Sequence, residues 1–88
     1  MRMYSIFDQK AEVFLQPVFF RAHGEAMRQL ETELRNPESM MGAHPEDFVL
    51  FHVADFDVDT GVLSVVEPPL VLSRASDLIP RQNGSEAD

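Results

Sequence analysis

The chain has no cysteine among its 88 residues. That excludes a disulfide framework, a zinc–thiolate centre and a thiol nucleophile, and it leaves the redox compartment unconstrained. Cations are scarce too: seven Lys and Arg stand against fifteen Asp and Glu, a net charge of −8. Such a balance repels a phosphate backbone unless the few cations gather on one face, so broad nucleic-acid binding is disfavoured. Nowhere do eighteen apolar residues follow one another. The opening MRMYSIFDQK has neither a long apolar run nor a cleavage pattern, so a soluble protein that stays in the cell where it is made is expected.

Apolar residues make up 44% of the chain, with seven Phe and no Trp. This is enough for one sheet against one helix, but not for two layers of helices around a sheet. A chain of this size buries only about 60–65% of the surface its unfolded form exposes, which argues against a deep, enclosed catalytic pocket. The expected fold class is α+β, a small antiparallel sheet of about three to five strands with one helix packed on one face. No internal repeat or domain boundary interrupts it. We expect a single domain over residues 1–80 and a disordered acidic tail over 81–88.

Met3 to Phe7 alternates as a strand. Ala11 to Phe20 is apolar but carries Pro17, which suits an irregular edge strand. From Gly24 to Arg35 the period changes, and Ala26, Met27, Leu30 and Leu34 form the stripe of the one convincing helix, closed by Asn36-Pro37. Glu38 to Ala43 reads as a loop or short irregular turn, with its two methionines covering a core edge. His44 to Glu67 is the centre of the chain: a strand from Phe48 to Phe56, a turn at Asp57 to Gly61, and a return strand from Val62. By simple alternation Phe48, Leu50, His52, Ala54 and Phe56 point one way and Val49, Phe51, Val53 and Asp55 the other. Both sets are largely apolar, as in a central strand with one face under the helix and the other open to a partner. Pro68-Pro69 is expected to end the return strand, leaving Leu70 to Leu72 as a separate edge strand or arm.

The alternating Asp55, Asp57 and Asp59 resemble the first half of a calcium loop, but the required glycine and glutamate each fall one residue late at Gly61 and Glu67. A solvated acidic turn is the expectation. His23, His44 and His52 are not spaced as ligands on a shared turn or helix, so no metal site is assigned. His44 is expected to cap or pack at the strand entry, with His52 pointing alongside Leu50 and Ala54. No catalytic constellation survives the test of spacing; an enzyme is not expected, and neither is a cofactor. Two contact surfaces are possible in principle. One is apolar, using Val49, Phe51, Val53 and Phe56, through which the chain would meet another protein or a second copy of itself. The other is a row of Arg21, Arg28 and Arg35 that would meet single-stranded DNA together with sheet aromatics, although Glu25 and Glu31 dilute its field.

Two stretches together carry a family resemblance. The first is MYSIFDQKAEVFLQP, with Met3, Tyr4, Ser5, Asp8, Lys10 and Pro17; the second is HPEDFVLFHVADFDVDTG, with His44, Pro45, Asp47, Phe48, Leu50, Phe51, Phe56, Asp57, Thr60 and Gly61. In order, spacing and length they resemble the small nonstructural protein of gokushovirus-type microviruses, tailless phages with circular single-stranded DNA genomes. The resemblance covers about residues 1–66. It departs at Ala54, where glycine is common, which removes the usual sign of a strand kink or bulge. What the resemblance implies is a minor or non-virion product of the phage, active in the host cytoplasm. By analogy with protein C of the phiX-type phages, it implies a role in genome replication that favours single-stranded synthesis and packaging. Such proteins are often labelled DNA-binding, but the charge of this chain favours a protein partner, the replication initiator or the procapsid, over direct contact with DNA. A scaffolding role is the remaining alternative.

Overall fold

The computed structural model describes residues 1–79, and the expected tail at 81–88 lies outside them. Strands β1 (Arg2–Asp8), β2 (Val13–Phe14) and β3 (Val18–Phe20) precede helix α1 (His23–Leu34) and a single-turn helix α2 (Met40–Ala43). A 3-10 turn, Pro45–Asp47, leads into β4 (Phe48–Phe56), and β5 (Leu63–Arg74) runs into a second 3-10 turn, Ala75–Leu78. All pairings are antiparallel in the order β2-β1-β4-β5, with β3 also paired to β1. This is the expected α+β architecture.

The expected edge irregularity around Pro17 takes a definite form. Phe14 pairs with Phe7 and Phe19 with Met3, while the Leu15–Pro17 loop puts three residues opposite Ser5 and Ile6, with Leu15 N–H still donating to the Ile6 carbonyl at 2.7 Å. Ser5 explains how that loop is held: its buried hydroxyl donates to the Leu15 carbonyl at 2.7 Å, satisfying a polar side chain inside the sheet.

Helix α1 starts without a side-chain cap at Ala22, but Glu25 in its first turn accepts from the Arg21 backbone N–H at 2.9 Å. The predicted stripe is the buried one. Ala26, Leu30 and Leu34 pack with Tyr4, Phe48, Leu50 and Ala75, and Met27 lies partly buried beside them. Ala75 belongs to the 3-10 turn after β5, which folds back against α1.

One expectation is sharpened and two are corrected. Glu38–Ala43, expected as a loop or short irregular turn, is a regular helical turn: Ser39 caps α2, its Oγ accepting from Gly42 N–H at 2.9 Å while its one proton is shared between the Glu33 and Asn36 carbonyls. Pro68-Pro69 does not end the return strand. β5 continues through both prolines because it is the sheet edge, where a missing N–H costs no ladder bond; only the register changes there, with Ala54 opposite Val65 but His52 opposite Leu70. Finally, simple alternation fails within β4. His52 pairs with Tyr4 and Ala54 with Met3, so Val53 is an extra residue opposite β1, a bulge. Beyond it the faces exchange: Asp55 joins His52 under the helix, while Ala54 and Phe56 cross to the side of Val49 and Phe51.

Gly61 takes the positive φ, +77°, that the β4–β5 turn needs. Gly42 is required for a different reason, because a Cβ there would collide with the Asn36 backbone carbonyl. We therefore expect Gly42→Ala to cost about 1–3 kcal/mol by overpacking, read as a lower urea midpoint. Gly24→Ala, with open space at its Cβ, should be neutral or stabilising by up to about 1 kcal/mol; equal effects of the two would contradict the assignment.

Candidate functional site

The helix-covered face ends in a polar cluster that local spacing does not reveal. α1 brings His23 over β1, and the Val53 bulge turns Asp55 towards His52. The His52 Nε2–H donates to Asp55 Oδ1 at 2.8 Å, and the His23 and His52 rings lie 5.1 Å apart, edge to face. Tyr4, fully buried, places its hydroxyl 2.9 Å from His23 Nδ1, and Arg2 Nη1 is 3.2 Å from His23 Nε2. The guanidinium, a cation that only donates, lies 3.2 Å from Nε2 and 3.4 Å from Nδ1, a setting that disfavours a second positive charge on the ring. His23 is thus neutral. Burial, then the Arg2 charge, holds it below its ordinary value, and burial pushes the Tyr4 phenol above its own. Each member has a protein partner, which makes the cluster a satisfied polar plug at one end of the core.

The opposite sheet face carries no helix. Following the register across β2, β1, β4 and β5, one row places Phe14, Phe7, Val49 and Arg74 side by side, and the next Ser5, Phe51 and Val71. The third holds Phe19, Met3, Ala54 and Val65, and the last Phe56 and Leu63. Phe7, Phe14 and Phe51 form one aromatic group, with centroids 4.8–6.4 Å apart, and Phe19 meets Phe56 at 6.2 Å at the other end. In a chain with fifteen carboxylate side chains, none of the paired residues on this face is acidic and Arg74 is the one charge among them; Glu67 is exposed in the unpaired stretch of β5 between Val65 and Leu70.

Of the four residues assigned to an apolar contact surface, Val49 and Phe51 stand on this face and the bulge delivers Phe56 to it, while Val53 occupies the bulge itself. Val49 is buried beneath its neighbours, and Phe51, Val53 and Phe56 are half-buried. The more exposed members, Phe14, Val65 and Val71, belong to the neighbouring strands, which only the register identifies. The arginines are dispersed: Arg21 precedes the helix cap, Arg28 is exposed beside Glu25 on α1, and Arg35 is the C-cap.

The three aspartates of the hairpin go to separate tasks. Asp55 meets His52, Asp57 Oδ1 accepts from Asp59 N–H at 2.9 Å and Thr60 N–H at 3.4 Å, and Asp59 is exposed. Those backbone bonds hold Asp57 below the usual carboxylate range. His44 does not cap with its side chain, which is exposed; its backbone bridges α2 and the following 3-10 turn, accepting from Asp47 N–H. Among the described residues, His44, Glu46 and Asp47 alone could bring three ligand atoms within 4.8 Å of one another, in an open depression that Lys10 also borders.

Residues carrying the family resemblance are mostly scaffold. Tyr4 and Phe48 are core, and Asp8 accepts from the N–H groups of Lys10 and Ala11 in the β1–β2 turn. Pro17 separates β2 from β3, Pro45 begins a 3-10 turn, and Asp57 and Gly61 shape the hairpin. The two stretches also touch, through Gln9 N–H to the Asp47 carbonyl at 2.8 Å.

Because His23 is held low, the unfolded chain takes up a proton below pH 6.5 that the folded chain resists. The stability this group contributes is complete above that pH and is lost as the pH falls. We expect the thermal midpoint to drop between about pH 7 and about pH 5, and to drop less in His23→Gln, whose amide can hydrogen-bond to Tyr4 and Arg2 without titrating. Parallel profiles for the two proteins would contradict the assignment of a neutral His23.

No helix among the described residues is long and apolar enough to cross a membrane. No curated protein and no solved structure matches the chain. A family model described as phage ORF5 protein matches residues 1–78, which takes in every strand and helix described above. The chain therefore belongs to the phage ORF5 protein family.

Proposed function

We propose that this phage protein is a non-enzymatic accessory factor of a gokushovirus-type microvirus. It acts in the host cytoplasm on genome replication, favouring single-stranded DNA synthesis and packaging, by contacting protein rather than DNA. Membership of a phage family supports the coarse part of this reading, and the resemblance of the two motif stretches to the microvirus protein supports the finer part. One observation favours a protein contact: the paired residues of the open sheet face are apolar apart from Ser5 and Arg74 and include no carboxylate, although the chain as a whole carries a charge of −8. The replication initiator and the procapsid are the natural partners for such a role.

Direct binding of single-stranded DNA is the second reading. Its support is that Phe7, Phe14, Phe51, Phe19 and Phe56 share the open face, as stacking rings would. Phosphate contacts would then fall to Arg21, Arg28 and Arg35, which sit on the opposite side or at the edge of the molecule.

An anisotropy titration with single-stranded DNA separates the two. Our reading expects no binding at micromolar protein. Micromolar binding that weakens with salt, with a log–log slope of about −2 for three phosphates, would overturn it. In infected cells Val71→Glu, at an exposed position on the open face, should reduce single-stranded genome yield severalfold, whereas Arg28→Ala should not.

A further inference from the structure

The open face needs an occupant, and we infer that it is a second copy of the same chain, the two sheets packing face to face about a two-fold axis. This rests on the reading of that face as a protein contact and names its partner. Three observations point to it.

Charge is the first. Its paired residues carry a single charge, Arg74 at the margin, so the face offers little for an oppositely charged partner to recognise, and the complementary surface is another largely apolar one. The chain itself supplies such a surface. In a two-fold contact the acidic residues of both copies remain on the far sides and at the rim, where water and salt screen them.

Area is the second. Phe14, Phe19, Leu63, Val65 and Val71 are between 42% and 69% exposed. With the half-buried Phe7, Phe51 and Phe56, they offer on the order of 600 Å² of open apolar surface, taking about 150–200 Å² for each free side chain. Two copies would together bury about 1,200 Å², the lower bound of a specific, stable interface.

Geometry is the third. Packed sheets place their facing side chains in one interdigitated layer about 10 Å thick, and this face already has the alternating rows that such a layer requires. The Val53 bulge is decisive, because it brings Ala54 and Phe56 onto the face and removes Asp55 from it. Without the bulge a carboxylate would stand in the middle of the contact.

Size-exclusion chromatography with light scattering over about 1–100 μM protein tests the inference. We expect twice the mass of one chain, with association unchanged or tightened by added salt, since screening relieves acid–acid repulsion. Val71→Glu and Phe14→Glu should each raise the dissociation constant at least about 100-fold by burying an unpaired charge, with the far-UV circular dichroism of the monomer unchanged. Arg28→Ala on the helix side should leave the dimer intact. A monomeric wild type, or a dimer indifferent to both glutamates, would overturn the inference. A monomeric wild type whose Val71→Glu variant still lost genome synthesis would overturn the dimer while leaving the contact with another phage protein standing. A dimer broken by Val71→Glu with replication unaffected would support the dimer and remove the functional reading.

Discussion

The extra residue at Val53 is the constraint on which the rest of this small structure depends. A strand alternates its side chains with a period of two, so one inserted residue exchanges the two faces for everything beyond it. Before the bulge β4 sends Phe48, Leu50 and His52 under the helix; after it, Asp55 takes that side and Ala54 and Phe56 leave it. The exchange does two things at once. It supplies the buried His52 with a carboxylate partner, at 2.8 Å, and it removes that carboxylate from the face that has no cover. A regular strand would have left His52 without this partner and set an acid among the phenylalanines.

A sheet of five strands has two faces, and this chain has one substantial helix to cover them. The helix is used where Tyr4, Phe48 and Leu50 need burial, with Ala75 from the turn after β5 closing the core. Its open end is sealed by polar groups instead: Arg2, Tyr4 and His23 satisfy one another beside the His52–Asp55 pair. The other face is left with aromatic groups at both ends and no acid among the paired residues between them. In an acidic protein, that separation of charge from apolar surface sets which contacts are favourable. A neutral apolar surface can meet it, and a phosphate backbone gains little from it.

Much of the fold was legible in local sequence. The boundaries of β4 follow from its apolar run between the Pro45 turn and Asp57, and α1 follows from the spacing of Ala26, Leu30 and Leu34. The β4–β5 turn followed from Gly61. Where the local sequence misleads, the cause is shared: a local pattern does not contain the neighbouring strands. Pro68-Pro69 reads locally as the end of a strand, yet β5 lies at the edge and loses no ladder bond there. Ala54 in place of glycine removes the local sign of a bulge, yet the bulge residue is Val53 and its φ is not the positive one that demands glycine. Of the candidate contact residues, those on β4 could be named from alternation, but Phe14, Val65 and Val71 could not. Their place on the same face depends on pairings between strands distant in sequence.

What the sequence by itself determined is therefore the inventory: one helix, a strand-rich remainder, an excess of acid, and the turn and core residues that carry the family resemblance. Those properties are local or compositional, and they are expressed wherever the chain goes. Which residues share a surface was decided only in the tertiary structure. His23 met His52, Asp55 changed sides, and five phenylalanines came to occupy one face, because strand register and a single bulge convert sequence position into direction. The parity of a strand can be read from its own residues, but the point at which that parity breaks depends on its partner.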